Sequence, residues 1–491
     1  MIARFALAAT AAFAMTVSAH AERTDLTIGV VLEPPHLDPT AGAAAAIDEV
    51  VYANVFEGLT RIGRDGAVQP GLAENWIISD DGLTYTFELR EGVTFHDGTA
   101  LDAGDVVFSL DRARGEDSVN AQKGLFDAIE SVAQMDELTV EVTLSRPAGD
   151  FLYNMGWGDA VIVAPESAET NKENPVGTGP FTFVEWQKGA AVTLQRNDAY
   201  WGDAPALTEV TFRFIPDPAA ATAALLAGDV QAYPNLPAPE SIPVFEADPR
   251  FTVAIGSTEG ETILSTNNAK PPFDDVRVRQ AIAHAIDRQA IIDGAMFGLG
   301  TPIGSHFAPH HPAYVELSET YPYDPDRARE LLAEAGHGDG ITGTLKLPPP
   351  SYARRGGEII AAQLREVGID LEIEPVEWAQ WLEQVFTNKD YDLTIVSHTE
   401  PNDIGIYARD DYYFQYENPD FNAVIEELSV TAGEDARYEL FRQAQQILAE
   451  DAVNGFLFQL AKNGIWDAKL EGMWENSPVQ ANDVTGVRWT E

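Results

Sequence analysis

Short windows in which apolar and polar residues alternate at period two recur along the chain between helix-forming stretches, and this interleaving limits the fold more than any other feature. Tyr85-Thr86-Phe87-Glu88-Leu89, the run from Leu138 to Leu144, and Val210-Thr211-Phe212-Arg213-Phe214 each present one apolar face, the pattern of half-buried strands. Helices interrupt them. Asp324-Pro325 opens one with a capping carboxylate and a proline at the first helical position, and Gly336 closes it. Asp275 caps a run from Val276 to about Ile292, whose apolar positions Ile282, Ala285, Ile286 and Ile291 share one side. A third spans 218–226 and stops at Gly228-Asp229. Strands and helices mixed in this way predict an α/β or α+β chain of several lobes. The length of 491 residues suggests two to four domains, and 45% hydrophobic residues suffice for real cores. There is no internal repeat, and the proline-rich segments 234–243, 302–312 and 348–350 read as loops between elements.

The first residues predict export. Arg4 supplies a positive start, Phe5 to Val17 an apolar stretch too short to span a bilayer, and Ala19-His20-Ala21 a small-residue cleavage site, so residues 1–21 are expected to be a signal peptide. Zero cysteine removes disulfides, thiolate metal sites, cysteine nucleophiles and a lipid-anchoring cysteine, which favours a protein free in a periplasm. With 31 Lys+Arg against 78 Asp+Glu, the net charge of -47 argues against nucleic acid and against anionic lipid, because both bind through cations. The acids are spread along the chain, which fits solvation in a saline medium better than one cationic site.

Catalytic signatures are missing: there is no G-x-S-x-G elbow, Walker A loop, H-E-x-x-H or G-x-G-x-x-G after a strand. Gly177-Thr178-Gly179-Pro180 precedes a strand-like run rather than a helix start, so it reads as a structural turn. His306, His310 and His311 have metal-like spacing only on a helix, and Pro309 and Pro312 make the segment a loop. No catalytic group, metal or cofactor is expected.

Residues 71–112, GLAENWIISDDGLTYTFELREGVTFHDGTALDAGDVVFSLDR, resemble the signature region of the family 5 extracellular solute-binding proteins, the peptide- and nickel-type binding components of ABC importers. The stretch has legible physical content: Trp76 as an apolar anchor, Asp81-Gly82 and the turn at 95–98, a strand between them, and Asp102 capping a helix. Matches at 35–39, 51–59, 176–186, 197–202, 275–288 and 323–336 keep the family's order. The resemblance implies a two-lobed periplasmic binding protein fold of the cluster C type with an extra lobe inserted in the first domain. The expected borders are 22–50, 181–257 and 478–491 for domain I, 51–180 for the inserted lobe and 258–477 for domain II. It further implies a monomer that closes around a small solute, a peptide or amine-bearing compound first, and delivers it to membrane permease and ATPase subunits. An oligosaccharide, opine or metal chelate is the alternative; an exported hydrolase or chaperone is the reading from outside the family.

Peptide-binding relatives hold the ligand's ammonium with an aspartate after a second-lobe strand, and Asp403 is the positional match, with His398 where a tryptophan is usual. The arginine that pairs with a ligand carboxylate in dipeptide-binding relatives is replaced by a Pro348–Pro350 stretch, which leaves Arg354 or Arg409 to reach a carboxylate. Trp157, Trp378, Trp381, Tyr407, Tyr412 and Tyr413 are candidates for an aromatic cleft wall, with Trp378 and Trp381 three apart on a helix. The candidate binding set is thus Asp403, His398, Trp378, Tyr407, Trp157 and Arg409.

Overall fold

A computed structural model describes residues 23–42 and 44–490; the expected signal peptide lies outside them. Two strands organise the molecule. Phe251–Thr266 has 16 residues and Gly455–Asp467 has 13, against a usual five or six, and they pair antiparallel through most of their length. At about 3.3 Å per residue the longer one reaches about 50 Å, enough to serve two lobes. On one side, Leu393–His398, Ile341–Leu347 and Ile369–Pro375 extend the sheet, the last two parallel with helix Ser351–Glu366 crossing between them. On the other side lie Ala232–Tyr233, Asp25–Val30, Glu209–Phe214, Ala191–Arg196 and Phe181–Gln187. A separate four-stranded sheet, ordered Ala73–Ile78, Thr84–Leu89, Thr139–Leu144, Ile129–Gln134, forms the inserted lobe.

The local chemistry read in the sequence reappears where it is self-contained. Asp102 caps helix Ala103–Arg114 in a reciprocal box with Asp105, and Asp324 caps Pro325–Glu334 by accepting from Asp326 and Arg327. Helix Pro218–Ala227 ends on Gly228, whose φ of 78° is the left-handed conformation that glycine enters without a Cβ penalty. The single helix expected over 276–292 is instead two, Val276–Ala285 and Arg288–Met296. Ile286 is extended and Asp287 caps the second helix by accepting from Ala290, so a capping residue wins over a continuous apolar stripe.

The packing draws narrower borders than the sequence suggested. Trp466, Leu470, Met473 and Trp474 pack with Leu26, Val30, Val210 and Phe212 in the first lobe's core, so the changeover falls within strand Gly455–Asp467 and not after 477. Likewise the inserted lobe's core runs from Leu59 to Ala164, while Val51, Val55 and Phe56 belong to the first lobe. Gly177 and Gly179 pass so close to the backbone of Asn54 and Val55 that neither admits a side chain, which gives the Gly177–Pro180 turn its structural role.

The crossing strands break step twice, the second time between Thr262 and Ile263, and the larger break comes first. Ser257 faces Ala461 and Glu261 faces Gln459, so the first strand takes four steps where its partner takes two. Such a bulge re-aims side chains out of the ladder. Just before it, a Cβ on Gly256 would fall on the Glu475 carbonyl oxygen, whereas Gly124 in the inserted lobe has open space around it. Gly256→Ala is therefore expected to lower stability by about 1–3 kcal/mol in urea unfolding, and Gly124→Ala to change it by no more than about 0.5 kcal/mol.

Candidate functional site

The bulge places acids where the lobes meet. Glu261 stands directly across the ladder from His398, the last residue of strand Leu393–His398, so both side chains occupy one patch of the sheet. Four residues further on, the chain turns at Asn402, which has φ 58°, a conformation asparagine tolerates, and Asp403 begins the short helix Asp403–Ala408. The loop carrying His306 closes the nest from a third direction, giving a tight space lined by Glu259, Glu261, His306, Asn402 and Asp403.

A chain of hydrogen bonds orients the aspartate. Asn454 Oδ1 accepts from the Thr266 amide at 2.9 Å, so its Nδ2 donates to the Tyr407 hydroxyl at 3.0 Å. Tyr407 in turn lies 3.2 Å from His306 Nδ1 and donates to it, leaving Nε2–H to donate to Asp403 Oδ1 at 2.7 Å. His398 Nδ1 lies 3.5 Å from the other Asp403 oxygen, and its Nε2 is 3.0 Å from the Tyr413 hydroxyl. Burial alone would raise the Asp403 carboxyl, but His306 and His398 outweigh it and hold the group well below the ordinary carboxylate range. Burial also pushes the His306 imidazole down, consistent with a neutral ring that donates one proton to an ionised aspartate.

The two glutamates differ. Glu259 pairs with His310 Nε2 at 2.5 Å, and His310 Nδ1 meets Ser257 Oγ at 2.6 Å. Glu261 is 3% exposed, and its Oε2 has no hydrogen-bond partner. Burial first, then repulsion from Glu259 and Asp403, raises the Glu261 carboxyl well above its ordinary value; burial raises Glu259 as well, against the pull of His310. Three carboxyls thus converge, one of them with a buried oxygen left without a partner.

Besides one of about 270 Å³ at Asn402 and His311, two larger cavities adjoin the nest. One of about 440 Å³ lies between first and second lobes and includes Val31, Glu49, Glu259, Thr399 and Lys462 on its walls. The other, about 410 Å³, lies between the inserted and second lobes and includes Trp157, Tyr153, Asn402 and Arg437. Both fall in the size range of small-molecule sites.

The structure brings Asp403, His398 and Tyr407 together and separates the rest of the expected set. Tyr407 is fully buried and acts behind His306 rather than as a cleft wall. Trp157 lines the cavity beside the inserted lobe. Trp378 is 41% exposed and outside these cavities, whereas Trp381 is buried with its indole nitrogen on Thr394 at 2.9 Å; the two rings meet edge to face at 5.7 Å, away from the nest. Arg409 is exposed beside Asp411, and Arg354 is bonded to Val376 and Glu377, so neither reaches a cavity lined by the nest. Tyr412 and Tyr413 pack in the second lobe's core. His306, His310 and His311 diverge: the first faces Asp403, the second Glu259, and the third accepts from the Ala313 amide. A metal-capable grouping does exist, but of other members: donor atoms of His306, His398 and Asp403 lie within 4.8 Å of one another. Glu259 and Glu261 were missed by sequence reasoning, although the run Thr258-Glu259-Gly260-Glu261 ahead of apolar Ile263-Leu264 carried a trace of them, and His306 was weighed only as a metal ligand and set aside.

Residues 67–416 match the family described as bacterial extracellular solute-binding proteins, family 5 middle. The glutathione-binding protein GsiB of Pectobacterium atrosepticum is 34% identical over 384 residues, 77% of this chain and 74% of that protein. The dipeptide-binding protein of Escherichia coli is 29% identical over 488 residues, 89% of this chain and 90% of its own length. Among solved structures, HbpA2 from Haemophilus parasuis superposes with a TM-score of 0.87 at 25% identity, covering 95% of this chain and all of that one. The two-lobed fold expected from the sequence is therefore present. Among the described residues, no helix is long and apolar enough to cross a membrane.

The pKa directions set two opposite pH responses. A raised glutamate destabilises the fold as pH climbs above the ordinary range of about 4.3, so Glu261→Gln should gain about 1–2 kcal/mol at pH 8 and nothing at pH 4 in thermal unfolding. Asp403, held low, contributes stability above the ordinary aspartate range that is lost as pH falls through it. The Asp403→Asn variant should accordingly be less stable than the parent at pH 7, with the gap narrowing in acid.

Proposed function

The chain belongs to the bacterial extracellular solute-binding proteins of family 5, and from that premise we propose that it captures a small amine-bearing solute, most simply a peptide, between its lobes and delivers it to the permease and ATPase subunits of an ABC importer. The reading takes the protein to be exported by residues 1–21, free in the periplasm, and to act by binding without turnover.

The observation that carries it is the buried, unpartnered Glu261 oxygen beside an ionised, firmly oriented Asp403. A primary ammonium brings three N–H donors and one positive charge, which meets both the missing hydrogen bond and the crowding of negative charge. Each charged hydrogen bond in such a setting contributes roughly 1.5–3 kcal/mol. The nest adjoins the crossing strands, and its members come from within and just after the bulge, from the His306 loop and from the turn at Asn402. Lobe closure over it would exclude water and strengthen those contacts, and binding would shift the population towards the closed form by the difference in affinity between forms. Glutathione and dipeptides, after which two relatives are named, are both amine-bearing peptides.

Titration followed by the emission of the nine tryptophans tests the reading. Free-amine peptides should give a saturable change, their N-acetylated forms none, and Asp403→Asn should weaken binding at least tenfold. Equal binding of acetylated and free forms, or an unaltered affinity in the variant, would remove the nest from the site.

A further inference from the structure

The same interlobe cavity that Glu259 borders is bordered at another wall by a cation, Lys462, on the second crossing strand opposite Gly256. Lys462 is 2% exposed. Its ammonium donates to the carbonyls of Trp474 at 3.0 Å and Asn476 at 3.1 Å, and among the described residues no carboxylate comes within ion-pair distance. A buried charge without a counter-ion is costly unless something supplies one. The acid that acts on it from the same cavity wall, Glu49, makes no hydrogen bond to it and is itself raised to about 6 by burial, and burial pushes Lys462 down to about 8. The wall of this space of about 440 Å³ also carries the polar side chains of Asn235, Asn463, Gln480 and Thr258 beside apolar Val31, Leu236 and Leu460. Arg354 and Arg409, the arginines within sequence reach of a ligand carboxylate, are engaged elsewhere.

Resting on the reading of the carboxyl nest as an ammonium site, we propose that Lys462 is the carboxylate-binding residue of this cleft, so that the preferred solute is a zwitterion with its amine at the nest and its carboxylate at Lys462. The arrangement places both charge contacts at the crossing strands, Glu259 in the bulge and Lys462 across from its leading edge. A carboxylate there supplies the missing counter-ion and accepts the ammonium's remaining N–H. Solutes that carry the amine but lack the acid leave Lys462 as it is in the empty cleft and gain only the nest's contacts.

Alanine peptides of two to four residues, each as free acid and as C-terminal amide, test this by calorimetric titration of the full protein. The wild type should bind the tightest free acid at least tenfold better than its amide. Lys462→Met should bring the acid down to the amide's affinity while leaving the amide within twofold, and Lys462→Arg should keep most of the preference. Because Lys462 also holds two backbone carbonyls, a merely structural role would lower acid and amide alike, and that result overturns the proposal. So does equal affinity of acid and amide in the wild type, or no binding by any of the free acids. Failure of the underlying reading is distinct: it shows as N-acetylated peptides binding as well as free ones, whatever Lys462 does.

Discussion

Everything functional in this molecule hangs on one antiparallel pairing, that of Phe251–Thr266 with Gly455–Asp467. The pair carries the sheet from one lobe into the other, and its loss of step between Ser257 and Glu261 is where the carboxyls are turned out of the ladder. A regular pairing would alternate residues 257–261 between the two faces, and Glu259 would stay in line with its neighbours. With the bulge, Glu259 reaches His310 and Glu261 is left opposite His398 with one buried oxygen unpartnered. The same two strands supply Lys462.

The balance of forces in the nest explains why it is poised and not inert. Asp403 is kept ionised by a relay that starts at the backbone of Thr266 and passes through Asn454, Tyr407 and His306. No comparable relay reaches Glu261, so desolvation governs it and favours its proton. A cation entering the space would relieve that conflict, which makes the differential affinity of closed over open form a matter of electrostatics more than of buried apolar area. The overall charge of -47 has no direct part in this: the acids that matter are three, and they act because they are buried.

How much of this was readable in advance follows from the range of each interaction. Caps such as Asp102 and Asp324 involve residues two or three apart, so their chemistry is local and the structure repeats it. The family motifs, spread in order from 35 to 336, gave the two-lobed fold and pointed to Asp403 by position. What surrounds Asp403 was not legible. His306 lies 97 residues away and meets it only because of loop packing, and the bulge that aims Glu259 and Glu261 depends on a register that no period-two pattern records. The break at Ile286-Asp287 was missed for the converse reason: the apolar spacing runs straight through it, and only the Asp287 cap marks the new helix. Trp378 and Tyr407 show that aromatic content near a cleft is a poor guide, since one faces solvent and the other is sealed in the core.

The most direct test of the account is a crystal structure of the protein with a free-amine peptide bound. It should place the peptide's amine nitrogen about 2.7–3.2 Å from oxygens of both Asp403 and Glu261, with the lobes closed over the bulge. A peptide seated in the cleft with its amine turned away and the Glu261 oxygen still unpartnered would contradict it.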